Sequence, residues 1–248
     1  MRLTIIGCSG SVPGPDSAAS AYLVEQDGFR ILLDLGSGAF GALQRHLDPA
    51  AVDAVVLSHL HADHCLDLTA MVVHRRHGGP EPLPRIPVLG PGGTHDRLAS
   101  AYDPGARGGL RDVFAVTAVQ PGERELGPFR LRFERVAHPV ETYAIRVAAG
   151  GRVLAYSGDT GISPGLVAAA TGADLLLCEA SVTDGLPHPP DLHLTGQEAG
   201  SQAAEAGVGR LLVTHVPPWT DAAVVHEKAA GAFGGPTELA ADGAACEV

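Results

Sequence analysis

Between positions 59 and 64 the chain carries three imidazoles and a carboxylate, in Leu57-Ser58-His59-Leu60-His61-Ala62-Asp63-His64. The cluster directly follows the apolar run Ala54-Val55-Val56-Leu57. A short β-branched run that ends in such side chains reads as a buried strand delivering a metal site to the loop at its C-terminal end. Imidazole with carboxylate suits zinc, manganese or iron, and not calcium or magnesium alone. His59 and His61 alternate, so an extended backbone points both to one side. Asp63 and His64 are adjacent and must diverge, which suits two metals better than one. Cys65, next in the chain, reads as a small buried residue packing beneath the site.

Further ligands are expected where other strands end. His138 comes after the strand-like run 129–136. Asp159 follows the run 153–157 and Gly158, whose freedom lets the backbone bend a carboxylate into a site. His215 follows the run 211–214. Any one of these alone would read as a structural residue. Together with His59, His61, Asp63 and His64 they make a set that serves two metals, each four- to five-coordinate, with a bridging carboxylate and a water. The histidines at 46, 95, 188 and 226 sit in less suggestive settings.

Stepwise punctuation by glycine and proline marks the elements that must position these residues. Strands are expected at 3–6, 21–25, 30–34 and 52–57, with Gln26-Asp27-Gly28 as a hairpin turn. Helical spacing covers 39–46 and 66–77. A glycine- and proline-rich loop, 78–93, leads to another strand and helix. Strands then follow near 113–119, 129–136, 143–148 and 153–157. Helices are expected at 165–171, 195–206 and 221–233, with strands 175–177 and 211–213 between them. Two halves of this kind predict an α/β protein with two sheets packed face to face and helices outside. No repeat or low-complexity tract divides the chain, so residues 1–248 read as one domain.

With 248 residues the chain can bury a substantial core, and its net charge of −11 argues against a protein that grips long nucleic acid. The one basic run, His74-Arg75-Arg76-His77, reads as a solvated helix end. No stretch approaches the roughly 18 apolar residues of a membrane helix. The start, Met1-Arg2-Leu3-Thr4-Ile5-Ile6-Gly7, reads as a first strand and not a signal peptide. Cys8, Cys65, Cys178 and Cys246 form no CxxC pair, which argues against a disulfide framework and for a cytoplasmic location.

The HxHxDH cluster, the later His, Gly158-Asp159-Thr160 and the last His after a strand resemble the metallo-β-lactamase superfamily over nearly the whole chain. The resemblance implies an αββα four-layer sandwich with a dinuclear site along one edge. Carried over position by position, His59, His61 and His138 would hold one metal. Asp63, His64 and His215 would hold the other, with Asp159 bridging. Gly7-Cys8-Ser9-Gly10-Ser11 with Pro13, and Leu32-Leu33-Asp34-Leu35-Gly36-Ser37-Gly38, resemble the ribonuclease Z-like branch. So do Cys178-Glu179-Ala180-Ser181, against that branch's His-Glu-Ala-Thr, and His193-Leu194-Thr195. Within the branch the pattern is most similar to bacterial cyclic AMP phosphodiesterases. Two departures stand out. The arm by which the tRNA-processing members clamp tRNA lies between the third motif's His and the bridging Asp, and here 159 − 138 leaves only 21 positions. Cys178 also replaces the first histidine of its motif.

The resemblance implies a metal-dependent phosphodiesterase. Two divalent cations about 3.5–4 Å apart clamp the phosphate and hold a hydroxide whose pKa falls to about 7. Zinc is the leading expectation, with manganese and iron the alternatives. Asp63 is expected to bind metal and to orient or accept the water's proton. His193 is expected to serve the leaving oxygen, oriented by Glu179. Thr195 with Glu198 makes a capping box that would hold His193 at a helix start. Ser9, Ser11 and Thr160 are candidates to line the phosphate pocket. The expected substrate is a small phosphodiester, 3′,5′-cyclic AMP above all, with no nucleic acid and no membrane as partner. A tRNA 3′ endonuclease is the runner-up, and an ester or lactone hydrolase the third reading. The apolar stretch 66–73 is a candidate homodimer surface.

Overall fold

The computed structural model describes residues 1–105 and 109–248. The first half builds one sheet. β1 (Arg2–Ser9), β2 (Ala18–Ala19), β3 (Ala21–Gln26) and β4 (Phe29–Leu33) come first, then α1 (Ala39–Leu43) and β5 (Ala54–Val56). A one-turn helix α2 (Ala62–Cys65), α3 (Leu68–His77), β6 (Ile86–Gly90), α4 (Thr94–Tyr102) and β7 (Phe114–Ala118) complete it. The second half supplies β8 (Gly122–Leu126), β9 (Phe129–Arg135), β10 (Tyr143–Ala149), β11 (Arg152–Tyr156) and α5 (Pro164–Ala170). It continues with β12 (Leu175–Glu179), α6 (Gly196–Ala206), β13 (Leu211–Thr214), α7 (Ala222–Phe233), β14 (Thr237–Leu239) and β15 (Ala245–Glu247).

The strand order is β15-β1-β3-β4-β5-β6-β7 in one sheet, with β2 beside β1, and β14-β13-β12-β11-β10-β9-β8 in the other. Each sheet is antiparallel on one side and parallel on the other, as expected where hairpins alternate with helical crossovers.

Alternation along the strands sorts the apolar residues into three layers. Leu3, Ile5, Tyr22, Val24, Ile31 and Leu33 face Phe129, Leu131, Phe133, Ile145 and Tyr156 between the two sheets. Their neighbours Ile6, Leu23, Leu32 and Val55 turn outward onto Leu43, Leu68, Met71, Val72 and Leu98 of the first helical layer. On the far side Ala144, Ala155, Leu176 and Val213 meet Leu166, Ala169, Ala199, Ala203 and Ala229 of α5, α6 and α7. The architecture is an αββα sandwich.

Three expectations change in detail. The loop 78–93 contains β6, whose Ile86-Pro87-Val88-Leu89-Gly90 is a buried parallel strand between β5 and β7. Its flanking prolines and glycines mask a run too short for periodicity to register. The helix expected at 66–77 begins at Leu68 and is preceded by the separate turn α2, because Leu35 pairs between the two, its N–H donating to the His64 carbonyl at 2.8 Å and its carbonyl accepting from Asp67 N–H at 3.2 Å. The apolar face of α3 (Leu68, Met71 and Val72) is spent against the first sheet, leaving Val73 as its exposed apolar residue. Among the described residues no helix is long and apolar enough to cross a membrane.

Candidate metal centre

The loops that leave the C-terminal ends of β4, β5, β9, β11, β12 and β13 converge on one edge of the sandwich. β5 ends at Val56, and Ser58 O is held across the sheets by Tyr143 N–H at 3.0 Å. The chain then turns so that His59 Nε2 lies 3.1 Å from His61 Nδ1, which is 3.2 Å from His138 Nε2. Nitrogens bound tetrahedrally at about 2.0–2.1 Å stand ~3.3 Å apart. These three imidazoles already have the spacing of a coordination shell.

Asp159 joins that group to a second. Its Oδ2 is 3.6 Å from His59 Nε2, and its Oδ1 is 3.1 Å from His64 Nε2 and 3.5 Å from His215 Nε2. Asp63 Oδ2 stands 3.4 Å from His64 Nε2 and 3.7 Å from His215 Nε2. The sets His59, His61, His138, Asp159 and Asp63, His64, Asp159, His215 each have their donor atoms within 4.8 Å of one another. Adjacency in the chain suits divergence of Asp63 and His64, while the resemblance gives both to one metal. Both sit in the second set, because α2 is a single turn and their side chains fold back to the same point. The bend before Asp159 needs Gly158, at φ +58, where a Cβ would stand 2.9 Å from Ser58 Cβ.

The other nitrogen of four imidazoles is already engaged. His59 Nδ1 lies 3.0 Å from Ser58 Oγ, His64 Nδ1 2.8 Å from Asp34 Oδ2, His138 Nδ1 2.8 Å from Leu192 O, and His215 Nδ1 2.8 Å from Ser20 Oγ. Such partners fix the ring and leave Nε2 for a cation. His64 Nε2 and Asp159 Oδ1 are buried with no hydrogen-bond partner. Two orphaned polar atoms facing each other in a buried site are costly. A divalent ion between them resolves both, so the residues fit a dinuclear centre.

The electrostatics agree for four of the five ligand imidazoles. Burial, aided by His64, holds His59 well below the ordinary imidazole range, and burial lowers His61, His138 and His215 as well. Neutral imidazole is the ligand form. Burial acts on His64 in the same direction, but the carboxylates of Asp159 and Asp34 outweigh it and raise His64 well above that range. Asp159 is pushed up by burial, yet His215, His64 and His59 together hold it well below the usual carboxylate range.

At the open side, His193 Nδ1 lies 2.9 Å from Glu179 Oε1, and its ring is 5.5 Å from His138 and 5.9 Å from His215. Burial lowers the His193 pKa, but the Glu179 carboxylate wins and carries it up to about 9. Glu179 is itself held by Thr160 N–H at 2.7 Å and Ser181 N–H at 3.2 Å. The capping box at Thr195 and Glu198 is formed and starts α6 just after His193. Cys178 points away, fully buried with the apolar residues under α6. Its thiol, pushed up by burial, carries no chemistry here.

Of the three phosphate-pocket candidates, two are spent. Ser9 Oγ donates to Val12 O and Thr160 Oγ1 to Gly161 O. Only Ser11 is exposed, and its N–H is directed at His215 Nε2 from 3.4 Å. Cys65 is buried with Sγ 3.6 Å from Leu60 O and belongs to neither metal set. Sequence reasoning missed the roles of Asp34 and Ser20. Asp34 carried the same signal as Asp159, a carboxylate ending an apolar strand. Ser20 carried none, since its partner is 195 residues away.

A family model described as a beta-lactamase superfamily domain matches residues 29–216, from β4 through His215. The chain belongs to the metallo-β-lactamase superfamily. Within the superfamily it is 48% identical over 241 residues to the uncharacterized protein Rv1339 of Mycobacterium tuberculosis, covering 95% of this chain and 88% of that one. It is 31% identical to the ribonuclease Z of Mycolicibacterium paratuberculosis, covering 88% of this chain and 86% of the other. The crystal structure of the metallo-beta-lactamase fold protein YhfI of Bacillus subtilis superposes with a TM-score of 0.88 at 29% identity, over 100% of this chain and 99% of that one. The protein is a metal-dependent hydrolase.

Proposed function

We propose that the chain, working as one catalytic domain over residues 1–248, is a cytoplasmic dinuclear phosphodiesterase that cleaves a small phosphodiester, foremost 3′,5′-cyclic AMP. The carrying observation is the His193–Glu179 pair, 2.9 Å apart, standing beside both ligand sets. A phosphodiester needs charge neutralised on its phosphoryl oxygens and a proton for its leaving oxygen, and the ligand sets and this pair answer the two needs separately.

His59, His61 and His138 would hold one cation, Asp63, His64 and His215 the other, and Asp159 both. Zinc is the leading choice for this donor set. When bound, the cations supply a nucleophilic water at neutral pH and neutralise the phosphate. Asp63, 13% exposed at the mouth, would orient that water and take up its proton. His193 keeps Nδ1 on Glu179 and presents Nε2 to the leaving oxygen. The Glu179 carboxylate raises its pKa and so favours the protonated form, the one that can donate. Glu179 is a positioning residue.

The small substrate is supported by what lies between His138 and Asp159. That interval is filled by β10 and β11, joined at Gly150-Gly151, both with positive φ as a tight hairpin requires. No room is left there for a tRNA-binding arm. The identity to a ribonuclease Z keeps tRNA 3′ processing as the second reading.

The test is turnover of 3′,5′-cyclic AMP by metal-loaded protein, with Asp63→Ala and His193→Ala alongside and a pre-tRNA as competing substrate. Conversion to AMP, abolished in Asp63→Ala and strongly reduced in His193→Ala, is the expected result. Cleavage of the pre-tRNA alone, or AMP formation indifferent to His193, overturns it.

A further inference from the structure

The groups described so far meet the phosphate. The rest of the substrate must meet the loops around it, and two of these are stitched together on the His215 side. Gly10 N–H donates to Val216 O at 3.1 Å, and Ser9 pairs with Val216 as an isolated parallel bridge. The pairing is close: a Cβ on Gly10 would lie 2.2 Å from the His215 carbonyl oxygen. Ser11, at φ +63, turns its N–H toward His215 Nε2 at 3.4 Å. A backbone donor of this loop therefore lies against the second ligand set.

The same two loops carry apolar side chains that stand in solvent. Val12, the residue after Ser11, is 42% exposed, and Trp219 is 69% exposed, the most exposed large hydrophobic residue described. The backbone turn that carries Trp219 is held at both ends. Pro217 and Pro218 precede it, Thr220 N–H closes the turn on Pro217 O at 2.9 Å, and Asp221 caps α7 by accepting from Ala223 N–H at 3.0 Å. Pro217, Pro218 and Thr220 line the cavity beneath the turn and the indole is not part of that wall, which leaves its face to solvent. Trp219 is four residues after His215 (219 − 215), so its Cα lies within about 14 Å of the ligand's.

We propose that Trp219 is the stacking platform for the nucleobase of the substrate. This rests on the phosphodiesterase reading and extends it to specificity: the sites around Asp159 act on the phosphate, and the indole selects for an aromatic base attached to it. A large rigid ring on a proline-locked turn loses little conformational entropy when a base settles on it. Stacking on one face tolerates any base, so the preference is for a nucleotide over an aliphatic phosphodiester and not for one base over another.

Trp219 is the sole tryptophan, so intrinsic fluorescence reports this residue alone. Titration of metal-loaded protein with adenosine 5′-monophosphate should quench it saturably, whereas ribose 5-phosphate should not. In turnover, Trp219→Ala should raise KM for 3′,5′-cyclic AMP roughly 10–100-fold. Base-free ribose 3′,5′-cyclic phosphate should show under threefold change, and Trp219→Tyr should restore most of the loss. Equal quenching by both phosphates, no quenching by either, or a KM for cyclic AMP unmoved in Trp219→Ala overturns the proposal. So does burial of Trp219 in a self-association interface, seen as a concentration-dependent mass that Trp219→Ala abolishes. If the wild type hydrolyses neither cyclic phosphodiester, the phosphodiesterase reading fails, and the AMP titration still decides whether the indole binds a base.

Discussion

Asp34 should be the most sensitive residue outside the ligand sets. Its fully buried carboxylate accepts four hydrogen bonds: Ser58 N–H at 2.7 Å, Ser58 Oγ–H at 2.7 Å, His64 Nδ1–H at 2.8 Å and Tyr156 O–H at 2.7 Å. In Asp34→Ala all four donors are stranded in a dry site. Each costs about 1–3 kcal/mol, so even the low end sums to about 4 kcal/mol. For a chain of this size that lowers Tm by roughly 8–16 °C. The isosteric Asp34→Asn costs less stability, because its oxygen can keep the bonds from Ser58 Oγ, His64 and Tyr156 and its amide strands only Ser58 N–H. It can still accept from His64, but without the charge that makes the ring a strong donor to a cation. The second ligand set should lose about 10–100-fold in affinity, the usual range for removing such a partner, while the first set is spared. The assay is a chelator-competition titration resolving two binding steps, with thermal melts of the metal-free proteins alongside. Two wild-type affinities in Asp34→Asn, or an Asp34→Ala melt within 3 °C of wild type, would refute this reasoning.

Gly36→Ala should disturb the centre from behind. The new Cβ would stand 1.9 Å from the Asp63 carbonyl oxygen, so α2 must shift, at about 1–3 kcal/mol and with weakened binding at the second set. A two-step metal titration identical to wild type would argue that the loop gives way without moving Asp63. The His193–Glu179 pair should make the metal-free protein's stability fall with pH. His193 in the folded chain is raised to about 9, above its ordinary value near 6.5. Its contribution is therefore fully present below about pH 6.5 and disappears as pH climbs through 9. Melts in chelator across this window should show a decline that Glu179→Gln flattens, and an equal decline in that variant would remove the pair as its cause.

The ligand-rich residues were legible in the sequence because each sits where an apolar strand stops. His59, His61, Asp63, His64, His138, Asp159 and His215 all follow such runs, and strand ends are where a sandwich gathers its loops. Histidine density did the rest, since few structures need three imidazoles in six positions. The two-sheet architecture was readable for a related reason: Leu3/Ile5 against Thr4/Ile6, or Ile31/Leu33 against Leu32, show two-faced burial that only a layered fold satisfies. Strand β6 was hidden because four buried residues interrupted by a half-buried proline carry no period.

What the chain by itself determined was the chemical inventory: imidazoles and carboxylates for two cations, one His–Glu pair, and too short an interval between His138 and Asp159 for an arm. Only the tertiary structure decided how that inventory is shared out. It turned Asp34 and Ser20 onto the rear nitrogens of His64 and His215, and aimed the Ser11 amide into the site while spending Ser9 and Thr160 on the backbone. It also buried Cys178 away from the reaction. These are outcomes of where loops from two sheets meet, with partners up to 204 residues apart. Local sequence encodes which donors are present, but distances of about 3 Å between remote side chains are set by the packing of the layers that carry them.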